Sequence, residues 1–181
     1  MSRLQIIQVL ETSDKDKSDD LYLNAIFRRF FIKFDLEGNE VTIQSIFLEG
    51  KQNYNSDQVL EQISSYTSMF NCWDDDPGKT VVIYFIDSDG TRLDYDANSY
   101  FGNLVRFCNE KGFELVWFSK NFENVFLGLE PDQVSNKTEA AKQFLINNKI
   151  FEIDANRLIK EKLEVGCSNI INILSKYLRT K

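Results

Sequence analysis

Thr80-Val-Val-Ile-Tyr-Phe-Ile-Asp87-Ser-Asp89-Gly90 is the stretch on which the fold of this chain turns. From Val81 to Ile86 every residue is apolar or β-favouring, as in a strand buried on both faces of a parallel sheet. Asp87 and Asp89 then stand where that strand leaves the sheet, with Gly90 behind them. Open α/β sheets bind ligands at the carboxyl ends of their strands. Two acids gathered there repel each other unless a cation or a basic partner lies between them, and hard ions such as Mg²⁺ take oxygen ligands. The same residues also read as a plain polar turn, since Asp and Gly favour turns. Asp94 and Asp96 extend the acid run into a calcium-like loop, but Gly90 falls too early for an EF-hand, which needs glycine at its sixth position.

Outward from this stretch, strands and helices alternate. Leu4–Leu10 predicts a first strand, with Glu11 at its carboxyl end. Asp19 or Asp20 then opens a helix to about Phe31, since acids suit a helix N-terminus. Val41–Leu48 follows the Gly38-Asn39 turn as a second strand, and Ser56 caps a helix over Asp57–Phe70, whose apolar residues keep helical spacing. After the third strand, Val81–Ile86, a helix is expected from about Asn98 to Lys111, capped by Gly112. Phe113–Phe118 is a fourth strand. A short helix before Gly128 and a helix from the Asn136/Glu139 capping box to about Asn147 come next. A last helix is expected from Ala155 towards Leu178, kinked at Gly166.

Alternation of this kind predicts an α/β fold, a four-stranded, mainly parallel sheet flanked by helices with a C-terminal helical extension. Right-handed crossovers place the strand ends on one edge. Glu11, Asp87, Asp89 and the segment after Phe118 are therefore expected to meet. A core over residues 1–130 with helices from 131–181 packed on it makes one domain, which 181 residues suffice to build.

The composition removes several chemistries. There is no histidine, so imidazole bases, zinc–histidine sites and His-based triads are excluded. Acid–base work falls to carboxylates, Lys, Tyr or metal-bound water. Cys72, Cys108 and Cys167 are far apart and form no C-x-x-C pair, which points to free thiols in a reducing compartment. No apolar run spans a bilayer, and Gln5 and Gln8 interrupt the only N-terminal one. A cytoplasmic protein without membrane partners is expected. The net charge of −7 argues against strong non-specific nucleic-acid binding. The residues from 156 onwards run the other way, with six basic side chains against two acids.

A glutamate after the first strand and Asp-x-Asp after a later one resembles the acidic pattern of Toprim domains, here Glu11, Asp87 and Asp89. One subgroup is closer. The chain resembles the RloB-like family of restriction and phage-defence loci in Glu11 with Lys17-Ser18-Asp19-Asp20-Leu21-Tyr22, in Asp87-Ser88-Asp89, and in Ser119-Lys120-Asn121-Phe122-Glu123-Asn124-Val125-Phe126. The resemblance covers roughly residues 4–150. It departs from the family in having Thr12 for a glycine, Asp19 for a second glutamate, and no proline in the last motif.

The resemblance implies a Toprim-like core and a nuclease that hydrolyses phosphodiesters of RNA or DNA with Mg²⁺ or Mn²⁺. Glu11, Asp87 and Asp89 would be the metal ligands. Glu11 would alternatively serve as general base, Glu123 would bind a second cation or orient Lys120, and Lys17 or Lys120 would face the phosphate. Arg28, Arg29 and Lys33, with Lys160, Lys162, Lys176, Arg179 and Lys181, read as solvated helical faces. Gathered on one surface near the acids, they would hold a nucleic-acid backbone. A second reading follows from the missing glycine and the acidic charge. It is a catalytically inactive Toprim-like module that binds a partner protein of a defence locus, or a second copy of itself through the last helix. A flavodoxin-like nucleotide binder is disfavoured, because no glycine-rich phosphate loop is present.

Overall fold

The computed structural model describes residues 3–13, 15, 17–72, 78–88 and 99–181. Asp89, Gly90, Asp94 and Asp96 lie outside the described residues. The chain runs β1 (Leu4–Leu10), α1 (Ser18–Phe30), β2 (Phe31–Asp35), β3 (Val41–Phe47), α2 (Asp57–Asn71), β4 (Lys79–Asp87), α3 (Tyr100–Lys111), β5 (Glu114–Phe118), α4 (Phe122–Leu127), α5 (Lys137–Ile146), α6 (Ile170–Leu174) and β6 (Leu178–Thr180). The central sheet has four strands in the order β3-β1-β4-β5, and every pairing in it is parallel.

Alternation along the strands builds two cores. Leu4, Ile6, Leu10, Ile83, Phe85 and Phe118 face α1, α4, α5 and the C-terminal segment. Ile7, Val9, Val82, Tyr84 and Ile86 face Val59 and Ile63 of α2 and Leu104 and Cys108 of α3. Both faces are covered, as parallel sheets require. Helix ends follow local chemistry. Ser56 accepts the Val59 N–H, Ser99 the Gly102 N–H and Asn136 the Glu139 N–H. Gly112 ends α3 in the left-handed region at φ +68°, where a side chain would be strained.

The tail departs from the expected long helix over Ala155–Leu178. It holds a tight turn over Ala155–Arg157, the five-residue α6, and β6, which pairs antiparallel with β2. Of the apolar residues at helical spacing, Leu158, Leu163, Ile170 and Leu174 are buried, whereas Ile159 is 41% exposed, because the backbone between them is needed elsewhere. β5 is an edge strand, and its unpaired groups demand partners. The Asn169 amide supplies two of them, with Oδ1 accepting from Trp117 N at 3.0 Å and Nδ2 donating to Leu115 O at 3.0 Å. Ser168 Oγ donates to Trp117 O at 2.7 Å. Gly166 turns the chain at φ +70°, with the Arg157 guanidinium 2.5 Å from where a Cβ would stand. The long helix expected to carry a homodimer is therefore absent among the described residues. Asn169→Ala is expected to lower stability by about 2 kcal/mol by orphaning both β5 groups, read as a lower urea midpoint with unchanged slope.

β2 was also unforeseen. Asp35 closes the turn that follows it, accepting from Glu37 N at 2.9 Å, Asn39 N at 2.8 Å and Asn39 Nδ2 at 3.0 Å. No helix of the described residues is long and apolar enough to cross a membrane.

Candidate functional site

Glu11 and Asp87 meet because β1 and β4 are parallel neighbours whose ends share one edge. Asp87 N donates to Glu11 Oε2 at 3.3 Å. Two further acids join them. Asp19 is on the first turn of α1, 5% exposed, and Glu123 on the first turn of α4, 1% exposed. α4 starts there because Asn121 caps it, accepting from Asn124 N at 2.8 Å. Both α1 and α4 begin beyond strand ends, so the sheet edge and two helix N-termini converge on one pocket of acid.

Burial sets the electrostatics. Asp87 is held well above the ordinary carboxylate range, first by burial and then by Asp19, Glu11 and Glu123. Burial, with Glu123 and Glu11, pushes Asp19 up to about 8. The start of α1 favours a negative charge there, but loss of water outweighs it. Burial also raises Glu11, against the Asp87 N–H and the charges of Lys51 and Lys137, which pull it down. Burial, Glu123 and Asp19 together raise the Tyr22 phenol. Its ring stacks on Phe126 at 5.2 Å and Phe122 at 5.9 Å, and these aromatics wall the acids from water.

Lys137, the first residue of α5, faces this cluster. Its Nζ stands 3.6 Å from Glu123 Oε2. Burial lowers its proton affinity, but Glu123, Asp87 and Asp19 outweigh that, so the ammonium is held above its ordinary range. One ammonium does not balance four acids, and polar atoms remain unmatched. Asp87 Oδ1 and Glu123 Oε1 are buried without a hydrogen-bond partner. Among the described residues no three acids close into a ready-made metal cage. Oxygen donors arranged so openly suit an ion that keeps most of its water and takes one or two carboxylates directly, as Mg²⁺ usually does.

The residues expected at the site divide. Glu11, Asp87 and Glu123 come together, and Asp89 lies outside the described residues. Lys120 does not join them. Its ammonium is 2.7 Å and 2.8 Å from the two Glu130 oxygens, because the chain reverses at Gly128, the left-handed cap of α4, and returns Glu130 beside it. Glu123 accordingly pairs with Lys137 rather than orienting Lys120. The Lys120 backbone still ties the edge together, its N–H donating to Ser88 Oγ at 3.1 Å. Lys17 lies over the Phe47 ring, 5.7 Å from its centroid.

Sequence reasoning missed Lys137 and Lys51. Lys51 lies on the turn after β3, its Nζ 5.5 Å from the centre of the Tyr100 ring. Neither carries a motif, and both reach the acids only through the fold. Asp19 did have a signal, its place after Glu11 where the resembled motif has a second acid. The basic residues are not all free to form one face. Lys176 pairs with Glu114 at 2.9 Å, and Arg29 donates to the carbonyls of Ile150 and Ile153. Compared with protein-family profiles and with curated protein sequences, the chain has no match.

Proposed function

We propose that this chain is a divalent-cation-dependent phosphodiesterase of Toprim-like, RloB-related type that cleaves RNA or DNA, in the phage-defence setting that the resemblance implies. The observation that carries this reading is the pair of buried, unpartnered oxygens, Asp87 Oδ1 and Glu123 Oε1, in a cluster with Glu11 and Asp19. A buried oxygen without a hydrogen-bond partner is costly, and a cation is one partner that such oxygens suit. Asp87 would hold Mg²⁺ or Mn²⁺ directly and Glu11 one of its waters, with Asp19 and Glu123 behind them accepting hydrogen bonds from the others. Bound there, the ion would acidify a water and offset charge on the phosphoryl oxygens.

The chain's own groups divide the remaining work. Glu11 takes the proton of the attacking water on a carboxylate oxygen, and burial, which raises its proton affinity, suits it to that role. Lys137 offsets negative charge so that an anionic phosphate can approach the acids. The aromatic rings of Tyr22, Phe122 and Phe126 screen the acids from bulk water on one side, which strengthens each of these interactions.

Labelled RNA and DNA incubated with Mg²⁺, Mn²⁺ or EDTA test the proposal. Glu11→Gln is expected to lower cleavage by about 10²–10⁴-fold, the usual worth of a general base, and to remove the acid limb of the pH–rate profile. A wild-type chain that cleaves neither polymer with either ion would sink the enzymatic reading and leave the partner-binding one.

A further inference from the structure

A second cavity, of about 650 Å³, opens on the other side of α1. It is lined at one end by Gln8, Asp20, Asn24 and Ser45, along its middle by Phe27, Phe31, Val41 and Ile43, and at the other end by Arg28, Lys33 and Lys181. Asp19 and Asp20 are consecutive, so the first turn of α1 presents one acid to the catalytic cluster and the next to this cavity. We propose that the cavity binds a nucleoside monophosphate unit, base towards Gln8 and phosphate towards Arg28 and Lys33. The inference rests on the nuclease reading for its use, as a pocket for a nucleotide beside the cut, but not for its chemistry.

Three observations support that occupant. The volume falls within the usual range of small-molecule sites. The lining changes character along α1, where Asp20, Asn24 and Arg28 recur every fourth residue on one face. Eight residues of helix rise about 12 Å, comparable to a nucleotide from base edge to phosphate. Phe27 and Phe31 lie between these ends, and aromatic side chains are what bases stack on.

The polar end selects against a plain acyl chain. Gln8 is 3% exposed, and its Nε2 donates to Asp20 Oδ1 at 3.0 Å and to Ser45 Oγ at 2.8 Å. Both bonds fix the amide, and its Oε1 is left without a partner. The polar side chains of Asp20, Asn24 and Ser45 at this end offer a base edge hydrogen-bond partners that a hydrocarbon cannot use. At the opposite end three cations face solvent in a chain of net charge −7. The Lys181 ammonium donates to Arg28 O, which holds this end of the cavity together.

Calorimetric titration of the full chain with AMP, CMP, GMP and UMP, in EDTA and at low salt, is the test. Saturable binding of at least one nucleotide is expected, weakened at least tenfold in the Arg28→Glu, Lys33→Glu double variant. Both residues are exposed and on no catalytic list, so that variant is expected to fold and to bind Mn²⁺ as the wild type does. No binding to the wild type at millimolar nucleotide would overturn the proposal, as would equal binding by the double variant or decanoate binding as tightly as the nucleotides. A short oligonucleotide that competes with AMP assigns the site to a strand, and lack of competition assigns it to free nucleotide; either sustains it. Because metal is chelated, nucleotide binding survives if the nuclease reading fails. Mn²⁺ binding at the acids likewise survives if the cavity proposal fails.

Discussion

Asp87→Asn is expected to abolish Mn²⁺ binding by calorimetry and to lower cleavage by at least about 10³-fold, equivalent to roughly 4 kcal/mol of transition-state stabilisation. At the same time it should leave the metal-free protein at least as stable as wild type above neutral pH. Asp87 is buried beside three other acids and has an oxygen without a partner. Asn keeps its shape and removes the charge. A variant made only less stable, with cleavage intact, would remove Asp87 from the chemistry.

The pH dependence carries the sign. Asp87 and Asp19 are both raised in the fold, Asp19 to about 8, against about 3.9 for an unfolded aspartate. Such a group keeps its proton in the native state after the unfolded chain has lost it. Its stabilisation is full below about pH 4 and is lost as pH rises from there through about 8. One proton makes a slope of at most about 1.4 kcal/mol per pH unit. Asp87→Asn should therefore remove the Asp87 share of the metal-free fall in melting temperature as pH rises above about 4. Mn²⁺ should oppose the fall in wild type only, since it binds the ionised acids.

The second large effect is structural. Phe122→Ala is expected to cost about 3–5 kcal/mol, a large part of the 5–15 kcal/mol typical of a domain. The ring is 1% exposed, stacked on Phe118 at 3.7 Å between centroids and on Tyr22 at 5.9 Å. Its removal leaves a cavity beneath α4, next to Glu123, and admits water to the acids. Phe122→Leu keeps more of the volume and should cost less. Urea unfolding measures both, and a loss below about 1 kcal/mol for the alanine variant would mean that α4 does not seal the core.

Much of this architecture is legible locally. The run over 81–86, the glutamine-broken Leu4–Leu10, the Ser56 and Asn136 caps and the Gly112 stop each need only a few neighbouring residues, and β1, β4, α2, α3 and α5 follow. Their order implies a parallel sheet with strand ends on one edge, and so brings Glu11 to Asp87. The tail was not legible. Leu158, Ile170 and Leu174 at helical spacing have one signature whether the chain coils regularly or breaks to serve an edge strand. The edge of β5 is more than fifty residues away in the case of the Leu115–Asn169 bond.

The sequence by itself excluded imidazole chemistry, left carboxylates as the candidate acid–base groups, and determined at which strand ends two of them stand. Only the tertiary structure decided that Asp19 joins them beside the expected Glu123, that Lys137 rather than Lys120 is their counter-ion, and that Lys120 belongs to Glu130. The reason is physical. Strand and helix formation are governed by local periodicity, whereas burial and ion pairing depend on groups brought together by folding. The acids Asp19 and Asp87 are unremarkable in the unfolded chain; loss of water first, and then the acids folded against them, raises their hold on protons.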